Sequence, residues 1–309
     1  MLARILAVAL NAYREAVRAR VLYGLLGVAL ATTAYSLVVA TLSLHQEQRV
    51  VADLGTASTS LYAIVVAIVL GATSLHRELE LKTVFPILTR RLRRHEYVLG
   101  KYLGILGTLA VFVAIDAGAV LAVLGFEAGA GAAVGIAALV LLAALGLALF
   151  RAKRTRIFVL IPWSVALLVT MAALADKAPD ERRMVLASSL LTIGEVAIVS
   201  AVATLFSSFS SPFLTALLTL AVFALGRSAD SLAHIPPRFF GKEIHLLAAG
   251  LARVVPNLHI YVPARTLLMG QIPGSPVWPF VLTGEIHAVF YATLLLTVSA
   301  LIFNKRDFE

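Results

Sequence analysis

The sequence predicts an all-α polytopic membrane protein with about eight transmembrane helices. Three observations carry this. Hydrophobic residues make up 60% of the 309, with mean hydropathy +0.93, whereas a soluble domain is about 45–50% apolar. The excess is gathered into runs of roughly twenty residues, the length that crosses a bilayer as a helix. Lys and Arg alternate between rich and poor connections from one run to the next, as the positive-inside rule requires. No stretch is long and polar enough for a separate soluble domain, so residues 1–309 read as one membrane domain.

Residues 1–20 precede the first span. Leu6, Leu10, Tyr13 and Val17 share one helical face, and Arg4, Asn11, Arg14 and Arg18 share the opposite one. That pattern predicts an amphipathic helix in the membrane interface. The apolar run ILAVAL is too short for a signal peptide, and no small-residue cleavage site follows it. Spans are expected at 21–44, 57–75, 104–125, 131–150, 157–175, 185–206, 212–228 and 280–303. Residues 234–279 hold seven of the eleven prolines. Proline breaks regular backbone, and irregular backbone is not tolerated facing lipid. The segment therefore reads as an extracytoplasmic cap of short helices and turns.

With the N-terminus in the cytoplasm, the cytoplasmic segments hold 17 of the 26 Lys and Arg. RAKRTR (151–156) is net +4, while DKAPDERR (176–183) is net zero. Eight spans with both termini cytoplasmic satisfy the rule. If the hairpin of the fourth and fifth spans does not cross, six spans keep the same orientation.

Several chemistries lack a signature. There is no cysteine, hence no disulfide or thiolate site. Neither Gly-Lys pair continues as a phosphate loop, so no nucleotide cofactor is expected in this chain. The seven histidines form no metal-ligand spacing, and no G-x-S-x-G occurs. In a membrane protein the net charge of +9 marks cytoplasmic loops before nucleic acid, so no nucleic-acid partner is expected. Three acids fall in spans: Asp116 and Glu195 near the middle, Glu285 toward the outer edge. A carboxylate at mid-bilayer costs about 2.5–3.5 kcal/mol on insertion scales, so such residues face a bundle interior or a cavity. They are candidates for pathway contacts or for packing acids. No Lys or Arg lies well inside any span, so neither Asp116 nor Glu195 is expected to have an ion-pair partner.

The densest charge lies between the second and third spans, at 76–103. There HRELELKTVFPILTRRLRRHEYVLGKY sets Glu78, Glu80 and Glu96 among seven basic residues, around the apolar centre Val84, Phe85, Ile87 and Leu88. An apolar centre with a charged rim is the anatomy of a protein interface. The glutamates would repel anionic headgroups, while Arg90, Arg91, Arg93 and Arg94 suit lipid phosphates.

The segment resembles the region after the second span of type-2 ABC transporter permeases. The resemblance runs through Glu78, Glu80, Thr83, Arg90, Arg94, Glu96 and Leu99-Gly100-Lys101, with Arg91 where the family often has proline. NAYREAVRARVLYGLL is similar to the family's elbow helix, ATLFSSFSSP to the turn before its penultimate span, and VVPNLHIYVPA with the closing IFNKRDF to its C-terminal third. Residues 127–180 do not match and look like a hairpin inserted into a six-span plan.

The resemblance implies an ATP-driven transporter subunit, an exporter, that works as a pair of permease chains in a bacterial inner membrane. Two separate ATPase subunits would bind ATP and Mg and dock on a coupling helix. The coupling residues implied are Glu78, Glu80, Lys82, Thr83, Phe85, Leu88, Arg90, Arg94 and Glu96. Other partners expected are membrane lipids and an extracytoplasmic protein at the cap. The resemblance makes the chain a non-enzyme and leaves its substrate unspecified. Two other readings stay open: an ion-gradient-driven transporter using Asp116 and Glu195, and an intramembrane enzyme acting on lipid. No inverted repeat supports the first and no catalytic cluster supports the second.

Overall fold

A computed structural model describes residues 1–80, 93–152, 155–234, 250, 255–272, 274 and 276–305. Those residues are all-helical and contain no strand. The elements used below are α1 (Leu2–Val17), α2 (Arg20–Thr41), α3 (Glu47–Glu80), α4 (Arg94–Gly125), α5 (Gly131–Arg151), α6 (Leu160–Leu174), α7 (Pro179–Ser207), α8 (Pro212–Arg227), α9 (Ala229–Ala233), α10 (Arg265–Leu268) and α11 (Val277–Lys305). Among the described residues, six helical stretches are long and apolar enough to cross a membrane: Arg20–Thr41, Glu47–Ser74, Arg94–Arg151, Arg156–Leu174, Pro179–Ser207 and Val277–Phe303. By that measure the count is six rather than about eight. One of the six joins α4 to α5, and α8, at 16 residues, is shorter than the roughly twenty that a crossing needs.

Local sequence sets several helix ends. α7 starts with Pro179 at its first position and Asp180 and Glu181 in its first turn. Proline there loses no helical hydrogen bond, and the acids complement the positive end of the helix dipole. α8 likewise opens on Pro212. Between α4 and α5, a π-helical turn at Phe126–Ala130 contains Gly129 at φ 84°, left-handed backbone that glycine adopts at no steric cost.

Close approaches fix the directions. Gly118 lies against Leu167, and Gly125 against Leu174. Both numbers rise together, so α6 runs parallel to α4. The Trp163 indole N–H donates to Leu141 O at 2.9 Å, and Gly125 touches both Val134 and Leu174. α5 therefore runs back antiparallel to both. α5 and α6 thus form a helical hairpin alongside α4, with α5 on its outside. Most of α5 is exposed, including Ile136, Leu139 and Phe150.

α7 is the central helix. It packs on α3, α11 and α4, and Val185, Leu191, Val196, Ile198 and Ala203 are all fully buried. Gly71 meets Ala203 and the Ser60 hydroxyl meets Glu195, so α3 and α7 are parallel. Gly284 sits by Leu191, and the Ser299 hydroxyl donates to Thr204 O at 3.4 Å, so α11 is parallel to them as well. Thr59 meets Asp116 and Gly55 meets Val120, so α4 is antiparallel to α3. Exposed large apolar side chains on α2, α5, α8 and α11 cover the outside. That is the arrangement expected of a body solvated by lipid rather than water.

α1 is a helix, as its periodicity predicts, but the side that packs is its small-residue side. Ile5, Ala9, Ala12 and Ala16 are buried with Tyr13 and Val17, while Leu2, Leu6 and Leu10 are exposed. Gly100 and Gly104 of α4 let the α1 backbone come close. A Cβ at Gly104 would lie 2.5 Å from Ala9 O.

Within 234–279, the described residues hold the short helical turns His259–Tyr261 and α10, irregular backbone around them, and the start of α11 at Val277.

Candidate functional site

The arrangement has two polar regions at opposite ends of the helices and a buried carboxylate between α2, α3 and α4. At one end the first turns of α4 form a junction. The Glu96 carboxylate accepts from the Arg93 backbone N–H at 3.1 Å, closing the helix start, and from Arg4 of α1 at 3.4 Å. Lys101, its side chain 3% exposed, donates to Glu15 of α1 at 2.8 Å. The Arg94 guanidinium donates to Phe303 O near the end of α11, and Tyr97 stacks on the Phe303 ring at 6.2 Å. The Tyr13 hydroxyl donates to Ile157 O, and its ring stacks on Phe158. Burial pushes the Tyr13 phenol up to about 12, with Tyr23 adding to the shift. Four segments therefore meet where the 76–103 segment enters α4.

Of the coupling residues expected from sequence, Arg94 and Glu96 fall in this junction, one bound to α11 and the other to α1. Lys82, Thr83, Phe85, Leu88 and Arg90 lie outside the described residues. Glu78 and Glu80 close α3, but their side chains lie outside the description.

Asp116 is fully buried between α2, α3 and α4. Thr59 donates to its Oδ2 at 2.6 Å and Thr33 to its Oδ1 at 3.2 Å. No ion pair reaches Asp116 among the described residues.

Glu195 differs. It was expected without a cationic partner, yet Arg227 donates to it twice, Nε to Oε1 at 2.6 Å and Nη2 to Oε2 at 2.9 Å. Nη2 also donates to Ser60 Oγ at 3.1 Å, and that hydroxyl donates on to Glu195 Oε2 at 3.4 Å. Arg227 is the last residue of α8, so it is not inside an apolar run. α8 packs on α7 and α3, which lays its end over the middle of α7. The spacing of charge along the sequence holds no sign of this pair.

Above the pair, α3, α7, α8 and the Tyr261–Leu268 turn line an open-sided cavity of about 560 Å³. Its wall on α3 runs from Asp53 to Ile64, roughly 16 Å at 1.5 Å per residue. The outer rim is a second charged group: Arg265 of α10 binds Asp53, and its other amino group reaches Glu181 at 3.4 Å. Arg49 stands 3.7 Å from Asp53. Tyr261 lines the cavity from the cap side. Its hydroxyl donates to Gly284 O at 3.0 Å and lies 3.0 Å from His287 Nδ1. With the phenol proton on Gly284 O, His287 must present Nδ1–H to the phenol oxygen. Burial, followed by the Glu285 and Glu195 carboxylates, pushes the Tyr261 phenol above its ordinary range.

Glu285 lies beside this cluster. Its Oε1 is buried and bonds to nothing among the described residues, close to Gly194. The three acids expected from sequence are thus not one site. Asp116 belongs to the α2–α3–α4 packing, and Glu195 lies beneath the cavity. Glu285 flanks Tyr261 on α11. The cavity and its two arginines are residues the sequence reading did not assign.

Comparison with known proteins adds no family: no protein-family model and no curated protein matches this chain.

Proposed function

We propose that this chain is the membrane-spanning permease subunit of an ATP-driven type-2 ABC transporter, an exporter working as a pair of identical chains. The observation that carries the reading is the junction at the start of α4. Arg4–Glu96, Lys101–Glu15 and Arg94–Phe303 tie the exit of the 76–103 segment to α1 and to the end of α11. A partner moving that segment would displace elements from both ends of the chain together. The helical hairpin of α5 and α6 beside α4 supports an eight-crossing plan, six plus an inserted pair, with α8 as a short crossing and both termini cytoplasmic. α1 then serves as the elbow helix, its exposed Leu2, Leu6 and Leu10 toward lipid. Separate ATPase subunits supply ATP and Mg chemistry, and this chain is not itself an enzyme. The membrane is the bacterial inner membrane, and the cap faces an extracytoplasmic partner.

Ion-gradient transport has Asp116, a buried carboxylate without a cation, in its favour. It loses Glu195, which Arg227 already holds. The test is charge reversal at Glu78 and Glu80 in the full chain, co-expressed with an ABC ATPase from the same gene neighbourhood. Loss of co-purification with the permease still folded supports the reading. Unchanged capture and unchanged ATP turnover in membranes overturn it.

A further inference from the structure

The cavity above Glu195 has a chemical character that narrows what fits it. At about 560 Å³ it lies within the roughly 300–1,000 Å³ of small-molecule pockets. Each charged side chain on its wall already has an opposite charge. Arg227 is spent on Glu195, and Arg265 on Asp53 and Glu181, with Arg49 also beside Asp53. An ionic guest would lose part of its hydration on entering and meet no unbalanced counter-charge, so that loss would go unreturned.

Neutral hydrogen-bond donors do remain. Arg227 uses Nε and Nη2, while its Nη1 donates to nothing among the described residues. Ser188 and Thr192 line the same cavity, one turn apart on α7, and neither hydroxyl bonds to another described group. Residues four apart share a helix face, so these hydroxyls stand side by side. Apart from Thr56, Ser60 and Tyr261, whose hydroxyls are already hydrogen-bonded, the remaining wall is apolar: Ile64, Met184 and Leu268 are part of it, and so is Phe223, whose ring lies under the Arg227 guanidinium at 5.4 Å.

We propose that this cavity binds an uncharged amphiphile: a head rich in hydrogen-bond acceptors, such as a sugar or amide, held by Arg227 Nη1, Ser188 and Thr192, with an apolar tail along Ile64 and Phe223. The Glu195 carboxylate fixes the guanidinium so that its free edge is presented and its charge is cancelled. The proposal rests on the transporter reading only for its biological meaning, since binding requires neither ATP nor a partner.

The test uses the full chain in lipid nanodiscs without nucleotide or ATPase. Three diazirine-bearing octyl probes are compared: a glucoside, a carboxylate and a trimethylammonium. The glucoside should label cavity-wall peptides of α3, α7 or α8, saturably, and unlabelled octyl glucoside should compete. Each ionic probe should label those peptides at least about fivefold less. Ser188→Phe, which puts a ring where the head would sit, should abolish the labelling. Thr192→Val, nearly isosteric, should weaken it by about fivefold, the value of one hydrogen bond, with an unchanged melting temperature. Equal or stronger labelling by an ionic probe overturns the proposal. So does non-saturable labelling of the outer helix faces alone, or labelling that is indifferent to Thr192→Val. Unchanged ATPase capture and turnover in the coupling experiment, which would overturn the transporter reading, would leave these results untouched, so the two readings fail separately.

Discussion

Arg227 grips Glu195 through two N–H···O bonds of 2.6 and 2.9 Å, across 32 residues of chain. The two ends of this contact differ in setting: Glu195 is 1% exposed and Arg227 is 28% exposed. Removing the arginine strands a buried carboxylate, whereas removing both charges leaves no charge unpaired, only the Ser60 hydroxyl without these two partners. Arg227→Met should therefore destabilise by about 3 kcal/mol, the lower end for breaking a buried pair because water reaches the guanidinium. The double change Arg227→Met with Glu195→Met should recover most of that loss. Thermal unfolding followed by fluorescence of the two tryptophans reads both. A single variant as stable as the parent would show that Glu195 does not depend on Arg227.

Asp116 is held by hydroxyls instead of a cation. Thr59 donates to it at 2.6 Å, and the same hydroxyl also lies 2.9 Å from Gly55 O of its own helix. One hydroxyl has a single proton, so the two contacts compete for it. Asparagine can relieve the competition, because its NH₂ donates to Thr59 while its oxygen still accepts from Thr33. Asp116→Asn should stay within about 1 kcal/mol of the parent. Asp116→Ala should lose about 2–3 kcal/mol, through the cavity and the lost links between α2, α3 and α4. If asparagine costs as much as alanine, the site needs its carboxylate and the packing account fails.

The helices were legible in the sequence because their signal is long: an apolar run of membrane length survives any error about neighbours. The contacts that decide the interior are short-range in space and carry little hydropathy. On α1, Ala9, Ala12 and Ala16 do the packing while Leu6 and Leu10 remain outside, so a wheel weighted by hydrophobicity finds the exposed face first. Arg227 closes α8 and reads as an ordinary flanking basic residue until α8 is laid against α7. Glu285 and His287 are two apart on a helix and do point to different neighbours. Tyr261, from a separate segment, reaches the histidine, while the Glu285 oxygen lies against Gly194. The donors facing the cavity belong to two helices, α7 and α8, and neither carries a motif.

Two glycines of α4 that face α1, Gly104 and Gly107, differ in what the seam asks of them. A Cβ at Gly104 would lie 2.5 Å from both Ala9 O and Ala12 Cβ and 2.8 Å from Tyr13 N. Two of those three atoms are backbone and cannot swing aside. Gly107, one turn on, has only a Tyr13 ring carbon at 3.9 Å. Gly104→Val should lift α1 from α4, at a cost near the top of the about 1–3 kcal/mol for overpacking. Gly107→Ala should be neutral or gain up to about 1 kcal/mol from helix propensity. Limited proteolysis of residues 1–20 and the melting temperature together read the difference. Equal behaviour of the two variants would mean that α1 does not pack through this seam.

Tyr13 gives the fold a pH dependence on the alkaline side. Its phenol is raised from 10.0 to about 12 by burial, with Tyr23 adding to it, while its hydroxyl donates to Ile157 O. The folded chain therefore keeps this proton where the unfolded chain has released it. Stability from this residue is complete below pH 10, falls as pH rises, and is lost by the time the folded phenol titrates near 12. Tyr13→Phe removes the titration and the hydrogen bond together. At pH 8 the variant should be less stable than the parent by about 1 kcal/mol, the value of the bond. Between pH 10 and 11.5 the gap should close, because the parent loses stability that phenylalanine never had. Melting temperatures of both proteins across that range test the sign. A gap that widens with alkali would place the ionised phenolate, not the phenol, in the folded seam.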